Sequence, residues 1–191
     1  PARNDCHAAA LGGDATVSHR SKANPMATIK NLQDLYLDGI KDLYSACKQS
    51  IPVTEEMAAA AKNADLKSAL EASVKGTREG MASMEKLARA HNEDPSGEHC
   101  KGMEGLVAEA RKHALEAGFE DDDTQDAAII AQYQRLAHYA ITGYGTLKAW
   151  AKRLDFKDDV KVLDDATAST YEGDETMTKI AVKGGVNKAA M

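Results

Sequence analysis

Apolar residues recur every three or four positions over most of the chain, the period of an α-helix with one buried face. The first such stripe is Ile29, Leu32, Tyr36, Ile40, Leu43 and Cys47, with Thr28 where an N-cap is expected. Pro52 predicts the end of that helix, because a proline inside a helix removes a backbone donor and crowds the preceding turn. An Ala-rich stretch over 55–62 reads as a short turn, after which Asp65 caps a second helix carrying Leu66, Leu70, Val74, Thr77, Met81, Met84 and Leu87 as far as His91. The run Asn92-Glu93-Asp94-Pro95-Ser96-Gly97 breaks it. A third helix is predicted over 98–117, with Met103, Leu106, Val107, Ala110 and Ala114 on one side and Gly118 as its C-cap. A fourth, over 125–154, carries Ile129, Tyr133, Leu136, Ala140, Tyr144, Leu147 and Trp150 or Ala151. A fifth, over 158–183, carries Val162 or Leu163, Ala166, Thr170, Gly173, Met177 and Ile180. No segment alternates as a strand does. Long helices on short connections predict an all-α fold, an antiparallel four-helix bundle with an additional shorter helix. The passage through the third helix would let the second and fourth run side by side.

The ends read differently. Residues 1–25 carry no period and read as a disordered leader, with translation expected to begin at Met26, the bundle spanning 26–183 and 184–191 forming a flexible C-terminal tail. Cys6, His7 and His19 fall in that leader, where no fixed ligand geometry is expected. With 24 Lys+Arg against 30 Asp+Glu, the net charge is −6 and interspersed, which argues against a nucleic-acid partner. No run reaches the roughly 18 apolar residues of a membrane span. Three cysteines without a CxxC spacing argue against a disulfide scaffold and for a reducing, cytoplasmic setting.

The inward positions of the long helices carry the most information. Bundles normally fill them with Leu, Ile or Phe. Here the first helix has Gly39; the second has Ser73, Gly76, Thr77 and Gly80; the fourth has Ala137, Ala140 and Gly143; the fifth has Ala166, Ser169, Thr170 and Gly173. Each mid-helix glycine costs about 0.5 to 1 kcal/mol relative to alanine. Either the backbones pack unusually close there, some of these positions face solvent, or the small residues bound a hollow rimmed by Tyr36, Tyr44, Tyr133 and Tyr144. A void of about 150 Å³ left empty would cost roughly 3 to 4 kcal/mol, so a hollow of that kind would favour an apolar guest.

The segments Leu32-Gln33-Asp34-Leu35-Tyr36, Lys41-Asp42-Leu43-Tyr44-Ser45-Ala46, Cys100-Lys101-Gly102-Met103-Glu104-Gly105-Leu106, Gln134-Arg135-Leu136-Ala137-His138-Tyr139 and Tyr144-Gly145-Thr146-Leu147-Lys148-Ala149-Trp150-Ala151 resemble the YciE/YciF-like ferritin-like proteins. The resemblance runs in order over about 28–181. It implies a ferritin-like bundle, commonly a homodimer, bacterial and associated with stress responses, with a di-metal carboxylate site between the long helices. It also implies glutamates at Gly39, Cys47, Gly76, Ala137 and Ala140 and near Ser169 and Thr170, and a histidine at Ser73. This chain departs from the pattern at each of those positions. Gly, Ala, Ser and Thr cannot supply the hard oxygen and imidazole donors of such a site. His138 is turned about 100° from Ala137 around the helix and does not restore it.

Other constellations are weaker. Cys47 reads as a small buried hydrophobe or as a thiol facing the hollow. Glu104, Glu109 and His113 read as surface contacts at helical spacing, and Asp121 to Asp123 as a helix-start cluster without a calcium-loop frame. No catalytic residue and no metal site are assigned, and no cofactor is expected. The sequence therefore predicts a non-catalytic bundle that holds a small, largely apolar organic molecule among Tyr36, Gly39, Tyr44, Cys47, Ser73, Gly76, Thr77, Tyr133, Ala137, Ala140, Tyr144, Thr170 and Gly173. The alternatives are a stress-associated structural protein working as a homodimer without ligand, and a di-iron or di-manganese oxidoreductase.

Overall fold

The computed structural model describes residues 28–191, so the leader, with Cys6, His7, His19 and Met26, lies outside the described residues. Five main helices follow one another: α1 (Leu32–Ala60), α2 (Ala64–Ala90), α3 (Lys101–Ala110), α4 (Asp122–Arg153) and α5 (Lys157–Val182). A short α6 (Val186–Ala189) ends the chain.

Asn31, not Thr28, begins α1, its side chain accepting from the Asp34 amide at 2.9 Å. The helix then runs through Pro52, two turns beyond its predicted end, and takes in most of the Ala-rich stretch that reads as a turn. The reason is which face the proline occupies. Pro52 and Lys48, whose carbonyl loses its intrahelical partner, both lie on the exposed side of the helix, so the freed carbonyl is not sealed in the core. Ile51, Val53 and Met57 meanwhile keep the buried stripe continuous.

Asn63, one turn ahead of Leu66 and in place of Asp65, caps α2 by accepting from the amides of Asp65 and Leu66, both at 3.0 Å. The α1–α2 turn is fixed from outside by Asp126, 1% exposed, whose carboxylate accepts from the amides of Lys62 at 3.0 Å and Asn63 at 2.7 Å. The third helix is shorter than its periodicity predicts. After Ala110 it widens into a π turn over Arg111–Leu115, where the Glu116 amide reaches back five residues to the Arg111 carbonyl. Residues 184–191 depart from the flexible tail that their glycines predict: Val186 is buried in the core cluster as α6 packs on α4.

α1–α2 and α4–α5 are two antiparallel hairpins. They meet with α1 beside α4 and α2 beside α5, which leaves α2 and α4 on the diagonal instead of side by side. The α1–α4 seam is closed: a Cβ on Gly39 would lie 2.9 Å from Leu147, and one on Gly143 would lie 2.9 Å from Leu43. Close backbone approach, the first of the three readings of the small residues, holds at this seam.

Candidate ligand-binding cleft

The α2–α5 seam is different. A cleft of about 600 Å³ opens between these helices. Its floor is buried: Leu43, Ala46 and Cys47 of α1, Leu136 and Ala137 of α4, and Met103 of α3. Its half-buried walls include Ser73, Gly76 and Thr77 of α2, and Ala166, Thr170 and Gly173 of α5, with Ala140 of α4 also lining it. A Cβ on Gly76 would meet nothing within 4 Å, so that stretch of α2 borders open space.

Two tyrosines of α4, Tyr133 and Tyr144, stand in this floor. The Tyr144 hydroxyl lies under α2, 2.5 Å from where a Cβ of Gly80 would stand, and 3.3 Å from Cys47 Sγ. The Tyr133 hydroxyl lies 3.2 Å from the corresponding point on Gly173 and donates to Ser73 Oγ at 2.8 Å. Ser73 in turn donates to the Ala69 carbonyl, Thr77 to the Ser73 carbonyl and Thr170 to the Ala166 carbonyl. Among the described residues no buried side-chain nitrogen or oxygen lacks a partner. The buried polar atoms are thus satisfied by one another and by backbone.

The floor of the cleft is also uncharged at neutral pH. Burial pushes the Cys47 thiol up to about 11, outweighing the neighbouring Tyr144 hydroxyl. Burial likewise raises Tyr133 and Tyr144 above the ordinary tyrosine range. Three exposed carboxylates, Glu79, Asp165 and Glu172, stand at the lip, and among the described residues no Lys, Arg or His lines the cleft.

Cys47, Ser73, Gly76, Thr77, Tyr133, Ala137, Ala140, Tyr144, Thr170 and Gly173 all line the cleft. Tyr36, Gly39 and Tyr44 do not. Tyr36 is fully buried at the end of the bundle, where its hydroxyl donates to Asp159 Oδ2 at 2.7 Å. Gly39 belongs to the closed α1–α4 seam, and Tyr44, half-buried, packs against the core. The space is an open cleft with a polar lip, not an enclosed dry hollow.

A family model described as a domain of unknown function, DUF892, matches residues 31–191. The chain belongs to this family. Within DUF892 it is 30% identical to protein YciF of Escherichia coli strain K12 over 163 residues, covering 85% of this chain and 96% of YciF. Two solved structures have the same fold. YcfI of Rhodopseudomonas palustris, for which a structural role has been suggested, matches with a TM-score of 0.76 at 30% identity over 82% of this chain and 99% of YcfI. The crystal structure of the E. coli stress protein YciF matches with a TM-score of 0.75 at 28% identity over 81% and 96%. The fold is therefore the ferritin-like helical bundle of the YciF-like DUF892 proteins.

The resemblance to YciF-like proteins carries a di-metal centre with it, and the donor set here does not fit one. Of the positions where it implies ligands, Cys47, Ser73, Gly76, Ala137, Ala140, Ser169 and Thr170 line the cleft. None of them offers a carboxylate or an imidazole, and the one thiol is held protonated by burial. Among the described residues no group of three or more His, Cys, Asp or Glu could hold a metal ion. His113 pairs with Glu109 at 3.1 Å and His99 with Glu104 at 2.9 Å, all on the surface, while Asp121 caps α4 through the Thr124 amide.

Sequence reasoning missed the lip acids and a second cluster beyond the cleft, Tyr36–Asp159–His91. Spacing contained a signal for the first: Glu79 and Glu172 each directly precede a lining glycine.

Proposed function

We propose that this chain is a non-catalytic member of the YciF-like family that holds a small, largely apolar molecule in the α2–α5 cleft. The observation that carries the reading is a 600 Å³ cleft whose interior polar groups are internally satisfied and neutral, at the positions where the family resemblance implies metal ligands. Ligand pockets occupy about 300 to 1,000 Å³ and combine apolar walls with a few polar groups. No group lining the interior is poised to move a proton near neutrality, so the cleft suits retention better than turnover. The three lip carboxylates leave room for a polar or cationic end directed at solvent.

Native mass spectrometry of freshly purified full-length protein, with metal analysis on the same sample, tests this. An organic mass that leaves on denaturation, with no bound metal, is the expected result. Near-stoichiometric iron or manganese would overturn it. A bare dimer mass would favour the second reading, a structural homodimer without ligand, to which the suggested role of YcfI lends support. Gly76→Leu supplies a check on location. Its side chain would extend into open space, so it should abolish guest retention while leaving the fold intact.

A further inference from the structure

The two hairpins touch along one closed seam, α1–α4, and one open seam, α2–α5. What holds the open seam is sparse. Among the described residues a single side-chain bond joins α2 or its cap directly to α5: His91 Nε2 at the C-cap of α2 lies 2.7 Å from Asp159 Oδ2 in the first turn of α5. A carboxylate only accepts, so Nε2 carries the hydrogen. The same oxygen accepts from Tyr36 of α1 at 2.7 Å. The Phe156 ring lies 4.7 Å from the His91 ring and 5.6 Å from that of Tyr36, packing beside the bonds. Asp159 is 8% exposed, and hydrogen bonds to a charged group are stronger in such surroundings.

Position along the helices gives this bond leverage. The other tie across the seam is indirect, with Tyr133 of α4 bonded to Ser73 beneath Gly173. From that tie to the His91–Asp159 bond is 18 residues on α2 and 14 on α5, about 27 and 21 Å at 1.5 Å per residue. Much of the cleft wall lies between the two ties.

We propose that His91 and Asp159 form a clasp that sets the spacing of α2 and α5 over the cleft, which makes them positioning residues for its guest. The proposal rests on the cleft reading above, so its test includes a readout that needs no guest. Hydrogen–deuterium exchange of the full chain is compared for the wild type, His91→Leu and His91→Gln. Losing the clasp should speed exchange across the cleft-facing turns, 73–84 and 162–173, by about tenfold, and glutamine, which can still donate to the carboxylate, should restore protection. The dissociation constant of Nile red, a neutral apolar dye, should rise by a similar factor in His91→Leu and recover in His91→Gln. Faster exchange confined to the single turns around 91 and 159 would overturn the clasp. Dye that fails to bind the wild type would count against the cleft reading alone, since the exchange data still decide the clasp. If His91→Leu does not fold, His91→Asn, polar but too short to reach, is expected to give the same pattern.

Discussion

Two glycines four residues apart on α2 should respond to the same substitution with opposite signs. Alanine in a helix interior is favoured over glycine by about 0.5 to 1 kcal/mol, and this gain is available at both sites. At Gly76 the new methyl meets nothing within 4 Å, so the whole gain is realised. For a chain of this size about 1 kcal/mol corresponds to roughly 2 to 4 °C, so Gly76→Ala should raise Tm by about 1 to 4 °C. At Gly80 the methyl would stand 2.5 Å from the Tyr144 hydroxyl, which is itself bonded to Cys47. The ring must shift and that contact must lengthen, and overpacking of this kind costs about 1 to 3 kcal/mol. Subtracting the helix gain leaves Gly80→Ala less stable than wild type by about 1 kcal/mol, a gap of about 2 kcal/mol between the variants. Urea and thermal unfolding followed by circular dichroism measure both, with an unchanged urea slope confirming that the unfolded states are comparable. A Gly80→Ala protein as stable as Gly76→Ala would refute the placement of Tyr144 beneath α2.

Asp126→Ala should cost about 2 to 4 kcal/mol, because two inward backbone amides at the α1–α2 turn lose their acceptor together, and a urea titration reads this directly. Cys47 should resist alkylation in the native protein near neutral pH and react promptly once the chain is unfolded, as mass spectrometry of iodoacetamide-treated samples would show. Its thiol is raised in the fold from 9.0 to about 11, so the contribution of the neutral form is fully present below about pH 9 and is lost as pH climbs toward 11. Stability measured across that window should fall, and Cys47→Ala should reduce the slope. An unchanged slope would mean that the buried tyrosines carry the alkaline loss.

The cleft residues were legible in the sequence to the extent that helical period decides which face a residue occupies. Ser73, Gly76, Ala137, Ala140 and Gly173 are inward by spacing and do line one space. Period says little about height along the bundle. Tyr36 shares a stripe with Leu43 yet sits two turns from it, beside Asp159 instead of the cleft. Nor does it say which seam closes, so Gly39, Gly76 and Gly143 look alike until their neighbours are known. Pro52 misled for a related reason: its cost depends on whether the orphaned carbonyl meets water, a matter of exposure. The His91–Asp159 bond joins residues 68 apart in sequence, and no local pattern announces it.

The two tyrosines of the floor bear on which guests the proposed cleft would take. Tyr133 and Tyr144 are eleven residues apart on α4, but their hydroxyls meet α2 at Ser73 and Gly80, seven residues or about 10 Å apart at 1.5 Å per residue. Both hydroxyls are held by partners on other helices, Ser73 of α2 and Cys47 of α1. For a guest lying along the floor between the two rings, as proposed above, that spacing would act as a molecular ruler. Across a homologous series of straight-chain compounds, affinity should grow with each added carbon and then break off sharply once the chain outgrows the gap between the two rings.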